Sequence, residues 1–342
     1  MNDEQYKILR SIVVFFLTVL TGMEAQAQAL EVLHEGGTTN LRGLAVYKNA
    51  IWVSGDRGKT GKSLDGGKTW NWLAVAGYEN VDFRDVELLN EKTAIIMGIS
   101  SPAYILKTTD GGITWQLTYY NAEPEMFLDA MSITKKGRGM VVGDPIKNAF
   151  FTAKTISGDG WQKFPSPHLP EAVNGEAFFA ASGSNLQLSK KSFYLVSGGV
   201  VSRLFTPGKV RKLPIMQGGQ TTGANSVAVL GKYIAVVGGD FMLPNKTDSV
   251  FAISYDKGRS WQLPVTPPTG YRSCVCFVNK KILVACGING VDISKDKGMT
   301  WKQISKISYN TCIFDKRTQT VYLAGKKSGV GKISFPNPGE VT

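Results

Sequence analysis

The sequence predicts an all-β fold, a seven-bladed β-propeller whose ring is closed by its own N-terminal strand, and three observations carry that expectation. After residue 30 helical periodicity is nearly absent, and short alternating runs rich in Val, Ile, Phe and Tyr recur between Gly, Asp, Asn and Lys. A motif ending in Trp returns with spacings of 45, 46, 100 and 40 residues, where 100 divides into two units of similar size. That is the period of a four-stranded propeller blade. The last unit lacks one strand, and "LEVLHEG" at residues 30–36 can supply it, leaving no open sheet edge.

Composition agrees with a packed single domain and narrows the chemistry. The 342 residues include 38 Gly and 14 Pro, more than usual but too few to signal disorder alongside 43% apolar content. Only two histidines, His34 and His168, are present, which excludes His-rich zinc centres and HExxH proteases. His34 falls in the closing strand and His168 in a Pro-rich loop, and both read as surface or packing residues.

The N-terminus reads as an export signal. Lys7 and Arg10 precede an apolar stretch from Ile12 to Leu20, and Ala25-Gln26-Ala27 forms an A-x-A cleavage pattern. Residues 1–27 are therefore expected to be a signal peptide and residues 28–342 one propeller, exported to a periplasmic or extracellular space. The apolar core is too short for a permanent membrane span. The formal net charge of +12 raises nucleic-acid binding as a candidate. The lysines are spread along the chain rather than gathered in one run, which reads as a solvated surface and no nucleic-acid partner. Cys274, Cys276, Cys286 and Cys312 lie in strand-like apolar runs. Export permits disulfides in three pairings that sequence cannot separate, and buried free thiols are the favoured reading.

The blades follow in order from the motif. It reads Ser63-Leu-Asp65-Gly-Gly67-Lys-Thr69-Trp70, then Thr108-Thr-Asp110-Gly-Gly112-Ile-Thr114-Trp115. Later come Ser254-Tyr-Asp256-Lys-Gly258-Arg-Ser260-Trp261 and Ser294-Lys-Asp296-Lys-Gly298-Met-Thr300-Trp301. A fifth, Thr155-Ile-Ser-Gly-Asp159-Gly-Trp161, is one residue short, and a degenerate unit lies near "SRLFTPGKVRKLPI". With the unit after residue 309, seven blades result. Asp and Ser or Thr side chains bond backbone N–H groups across a turn, Gly supplies a positive φ, and Trp anchors the next strand. Asp65, Trp70, Asp110, Trp115, Asp256, Trp261, Asp296 and Trp301 are thus assigned structural roles.

Other motifs are set aside. Residues 56–63 come within one residue of a phosphate-binding P-loop, but the helix that loop requires is replaced by a strand pattern, and no GxGxxG leads from a strand into a helix. No cofactor and no metal site is expected.

In a propeller the innermost strands all begin at one face beside the central channel, where ligands usually bind. These strands begin near "NLRGLAVY", "DFRDVELL", "FLDAMSIT", "GEAFFAAS", "GANSVAVL", "GYRSCVCF" and "YNTCIFD". Arg42, Arg84, Asp129, Glu176, Asn225, Arg272 and Asn310 then share equivalent mouth positions, and the second strands add Asp56, Arg57, Asp144 and Asp240. Three arginines at one opening suit a carboxylate or phosphate. Mutual neutralisation of Arg and acid side chains on neighbouring blades is the other reading.

The motifs resemble Asp-box (BNR) repeats, which occur both in sialidases and in the photosystem II stability/assembly factor family of seven-bladed propellers. "DFRDVELL", "ILKTTDGGITW", "GMVVGDPI", "GEAFFAAS", "AVVGGDF" and "GYRS" together look like the secreted bacterial branch of the assembly-factor family over about residues 30–335. The resemblance implies a non-catalytic binding scaffold. Some bacterial relatives carry an oxidoreductase label, which no cofactor motif here supports. The sialidase Arg-Ile-Pro element is missing, Arg42 being followed by Gly43-Leu44. The expectation is therefore an exported monomeric propeller that binds a protein or acidic ligand at the mouth and performs no chemistry. The alternative is a secreted sialidase-like glycoside hydrolase with Asp129 and Glu176 as its carboxylate pair.

Overall fold

A computed structural model describes residues 29–164, 169–189 and 192–336. The expected signal peptide and His168 lie outside the described residues. Seven antiparallel sheets form a ring of blades. Blade 1 comprises Leu41–Tyr47, Ala50–Gly55, Lys59–Ser63 and Asn71–Ala74, counted outward from the channel. Blades 2, 3, 5 and 6 begin with the inner strands Phe83–Leu88, Leu128–Ile133, Thr222–Leu230 and Cys274–Phe277. Blade 7 runs Tyr309–Asp315, Thr320–Gly325 and Val330–Ser334, and its outermost strand is Glu31–His34 from the start of the chain. Each inner strand packs beside the next around the ring, blade 7 returning to blade 1. Among the described residues, no helix is long and apolar enough to cross a membrane.

His34 fastens the closure. Its Nδ1 lies 2.9 Å from the Ser328 carbonyl oxygen, and its Nε2 lies 3.2 Å from Trp72 Nε1 on blade 1. The indole is donor-only, so Nε2 accepts and Nδ1–H donates. The ring also packs against Trp72 at 4.7 Å between centroids.

The recurring motif forms one turn four times. In blade 1, Ser63 Oγ donates to Asp65 Oδ1 at 2.8 Å and accepts from Gly67 N at the same distance. Asp65 Oδ1 accepts from Lys68 N and Thr69 N, and Oδ2 accepts from Thr69 Oγ at 2.6 Å. The Thr69 hydroxyl and N–H hold this carboxylate well below the usual range, and Thr114 and Ser260 do the same for Asp110 and Asp256. The glycine three residues before each motif Trp has positive φ and lies against an apolar side chain of the preceding blade, Gly67 on Leu33, Gly112 on Trp52, Gly258 on Leu204 and Gly298 on Phe251. The turns therefore set blade spacing as well as closing hairpins. In the shortened fifth turn, Asp159 instead pairs with Lys107 of blade 2 at 2.5 Å.

Blade 4 departs from expectation. Its inner strand is only Leu186–Leu188, followed by Phe193–Val196, Arg203–Thr206 and Lys209–Lys212. "GEAFFAAS" does not begin that strand. Glu176–Ala177 pairs with Gly198–Gly199, which joins the blade 5 sheet through Gly198 and Gly223. Two glycines facing each other let these backbones approach more closely than any side chain allows, since a Cβ on Gly223 would lie 2.3 Å from the Gly198 Cα. The small residues that follow, Ala180 to Ser184, then enter the channel.

The cysteines are all free and buried in one apolar cluster spanning blades 6 and 7.

Candidate functional site

The mouth residues owe their direction to a repeated irregularity. Arg42, Arg84, Asp129, Asn225 and Asn310 are each the extra residue of a β-bulge between the first and second strands of their blades. A bulge turns one side chain out of the alternation. Leu41 and Phe83 can thereby stay fully buried while the arginines beside them reach the mouth.

The segment from Phe178 to Ser184 crosses the ring and divides the channel. Arg42 Nη1 donates to the Ala181 carbonyl at 3.0 Å and Arg84 Nη1 to the Ala180 carbonyl at 3.4 Å. Ser182 Oγ donates to the Ser273 carbonyl at 2.8 Å, and Ser184 Oγ to Ser226 Oγ at 2.7 Å. Blades 1, 2, 5 and 6 thus grip a strap contributed by the approach to blade 4.

Above the strap lies a mouth cavity of about 420 Å³. Its polar wall holds Arg42, Arg84, Asp144, Asn225, Asn310 and Lys326, and its apolar wall holds Phe127, Phe178, Phe179, Phe241 and Ile288. Burial and the adjacent Arg84 cation press the Arg42 guanidinium below its ordinary value, with Asp82, Tyr271 and Asp56 opposing. Arg84 is paired to Asp82 at 2.8 Å. Asp144 accepts from Phe178 N at 3.0 Å, yet burial pushes its carboxyl up to about 6. The cavity thus combines a cationic end with an aromatic wall.

The remaining mouth candidates are placed otherwise. Arg272 is fully buried, its Nε bonded to Asp292 Oδ2 at 2.6 Å and its other nitrogens to Thr269, Asn289 and the Tyr271 carbonyl. Its guanidinium has no face toward a ligand, so it reads as a structural ion pair. Glu176 is likewise enclosed, held by Arg203 Nε at 2.7 Å and by Ser197 Oγ, and it borders a separate recess. Asp129 is fully buried with neither oxygen in a well-formed hydrogen bond. Burial, then the charge of Asp144, raise its carboxyl well above the usual range. Asp129 and Glu176 therefore do not face each other across an open cleft. Asp56 accepts from Asn40 N at 3.0 Å, Asp240 accepts from Met242 N at 3.0 Å, and Arg57 is an exposed turn residue with φ of 59°.

Sequence reasoning missed the strap and the cavity below it. That second cavity, about 350 Å³, is lined by Asp85, Glu87, Met131, Ser184, Cys276 and Phe277 among others. Asp85 Oδ2 accepts from Met131 N at 2.8 Å and Glu87 Oε1 from Ile133 N at 3.1 Å. Gln187 Oε1 and Ser226 Oγ serve Val229 N and Val275 N in the same way. Each side chain caps the free N–H edge of the following blade's inner strand. The signal was present as polar residues at alternate positions of those strands.

In sequence, the chain matches no family model and no curated protein. The fold is similar to solved structures of YCF48. One, YCF48 bound to D1 peptide, is 16% identical with a TM-score of 0.64 over 92% of this chain and 100% of that one. Another, YCF48 from Cyanidioschyzon merolae, is 15% identical with a TM-score of 0.66 over 90% and 99%. The Pan2 WD40 domain of Neurospora crassa is 13% identical, with a TM-score of 0.61 over 91% and 97%. These likenesses define the chain as a seven-bladed propeller.

Proposed function

We propose that this chain is an exported, non-catalytic scaffold that captures a protein partner through an acidic group held in the mouth cavity. The observation that carries the reading is the pairing of Arg42 and Arg84 on consecutive carbonyls of the strap. It presents two guanidiniums at the end of a pocket walled by phenylalanines. Guanidinium favours carboxylates through paired, charge-assisted hydrogen bonds, and the aromatic wall suits an apolar neighbour of that group. The peptide-bound YCF48 structure supports a peptide as ligand class. The four repeated turns support the Asp-box reading, and the small apolar core of residues 12–20 supports export.

The test is a pull-down from the source envelope with the mature chain, run beside a screen of glycan substrates. Arg42→Ala and Arg84→Ala are each expected to weaken capture by roughly ten- to a hundredfold, the worth of a charged hydrogen bond, and to cost about 1 kcal/mol of stability for the strap carbonyl left without its donor, the blades staying folded. Arg272→Ala is expected to behave differently, losing about 3 to 5 kcal/mol of stability because Asp292 is left buried and unpaired. Undiminished capture by the double variant of Arg42 and Arg84 would sink the reading. Glycan turnover abolished by Glu176→Gln would replace it with a hydrolase.

A further inference from the structure

The lysines that are scattered along the sequence are gathered in space. In an up-and-down blade the first hairpin and the third turn both lie at the end opposite the mouth. Backbone bonds tie them there: Gly66 N to the Asn49 carbonyl, Gly111 N to Lys92, Lys257 N to Lys232 and Lys297 N to Lys281, all between 2.8 and 3.0 Å. Among the described residues, an exposed lysine stands in the first hairpin of six blades: Lys48, Lys92, Lys136, Lys232, Lys281 and Lys316. The neighbouring turns add Lys68, Lys257, Lys295 and Lys297, also exposed. The acids at this end are mostly committed, Glu91 to Lys48, Asp159 to Lys107, and the motif aspartates within their own turns. The mouth end carries Glu35, Glu79, Asp82, Glu123, Glu125 and Asp144 among its cations. The exposed lysines at the end opposite the mouth therefore outnumber its acids, and that face is net cationic.

That face also bears projecting apolar side chains. Leu64, Ile113 and Ile156 are 59%, 79% and 81% exposed, at the turns of the consecutive blades 1, 2 and 3. Lys48, Lys92 and Lys136 stand in the hairpins of the same three blades. Between blades 5 and 6, Tyr233, Tyr255, Lys281, Lys295 and Lys297, with the turn-bound Asp296 between the last two lysines, line a recess of about 680 Å³. A broad cationic face, apolar tips at its rim and a lysine–tyrosine recess match an anionic bilayer surface, which offers dispersed negative headgroups above an apolar layer. A nucleic acid would satisfy the charge but would leave the isoleucines in water.

We propose that the face opposite the mouth docks peripherally on a membrane surface rich in anionic lipid. The lysines provide attraction, Leu64, Ile113 and Ile156 enter the headgroup layer, and the recess between blades 5 and 6 seats a phosphate headgroup. The mouth then points away from the bilayer.

Flotation of the mature chain with phosphatidylcholine vesicles, with and without phosphatidylglycerol, tests this. Binding is expected only with phosphatidylglycerol, and it is expected to weaken as salt is raised. The combined Lys92→Glu, Lys136→Glu, Lys232→Glu and Lys281→Glu variant is expected to lose at least about a hundredfold in affinity. Ile113→Ser with Ile156→Ser should lose about tenfold or more, with folding checked by circular dichroism. Arg42→Ala with Arg84→Ala should float like the parent, which separates this proposal from the mouth reading. Equal binding to both vesicle types, or full binding by either face variant, overturns it. So does a preference for duplex nucleic acid over the anionic vesicles.

Discussion

At the turn of blade 6, the bonds that hold Asp296 and Ser294 join residues no more than four positions apart. In the channel, the bonds that fix residues 180–184 to the inner strands reach across 42 to 139 positions. Both regions are dense in hydrogen bonds, and both sit on the same blades. They differ in how far the chain must travel to find its partners. The rim turns are self-contained devices that recur wherever the motif recurs, whereas the strap exists only once the ring has closed around it.

The sharpest test of the rim side is Trp301. It is 5% exposed, meets Phe251 at 4.9 Å between centroids and donates from Nε1 to the Gly298 carbonyl at 3.1 Å. Trp301→Ala should cost about 3 to 5 kcal/mol in chemical denaturation, through lost burial and the cavity left behind. In blade 4, where no motif closes the turn, Val210 on the outer strand is 39% exposed, and Val210→Ala should cost less than about 1 kcal/mol. Comparable losses at the two sites would mean that the motif tryptophan is not what anchors the outer strand.

The channel side is tested through pH. Burial raises the Glu87 carboxyl from its ordinary value of 4.5 to about 7, against the opposing hydrogen bond from Ile133 N. The native state therefore holds this proton more tightly than the unfolded chain. The resulting stability is fully present below pH 4.5 and is lost as pH rises through about 7. Glu87→Gln keeps an oxygen for Ile133 N and removes the charge. It should match the parent near pH 4 and exceed it at pH 8 by about 2 to 3 kcal/mol, the cavity side of the carboxylate being partly screened. A constant difference across that range would show that Glu87 titrates as it does in water.

This contrast explains what was legible in the sequence. Blade number, motif turns and the closing strand follow from local spacing, and even the bulged Arg42, Arg84 and Asn310 stand out as polar second residues of otherwise largely apolar inner strands. Glu176 and Arg272 stand in similar local contexts, yet each is consumed by an ion pair, Arg203 and Asp292 respectively. Which arginine remains at a cavity depends on partners chosen in three dimensions. "GEAFFAAS" shows the same limit, since its small residues are read as a strand start until the width of the channel gives them another place. The lysines invert the case, being featureless in order along the chain and organised only by the repeat.

The smallest expected effect separates the two regions at single glycines. Gly66 in the first rim turn and Gly183 in the strap both have positive φ, 77° and 68°. A Cβ on Gly66 meets nothing within 4 Å, so Gly66→Ala should cost only the left-handed backbone, about 1 kcal/mol. A Cβ on Gly183 would lie 2.4 Å from Asp85 Oδ2, the oxygen that accepts from Met131 N. Burial, then the charge of Glu87, already hold Asp85 well above the usual carboxylate range, so the carboxyl has little freedom to find another partner. Gly183→Ala should therefore cost a further 1 to 2 kcal/mol or so beyond Gly66→Ala, as overpacking does in a filled interior. Amide exchange should show the loss as faster opening at Met131, with the blade 1 turn unchanged. Equal costs at the two glycines would place the strap outside the channel, because only a residue enclosed by the ring has an inner strand to collide with.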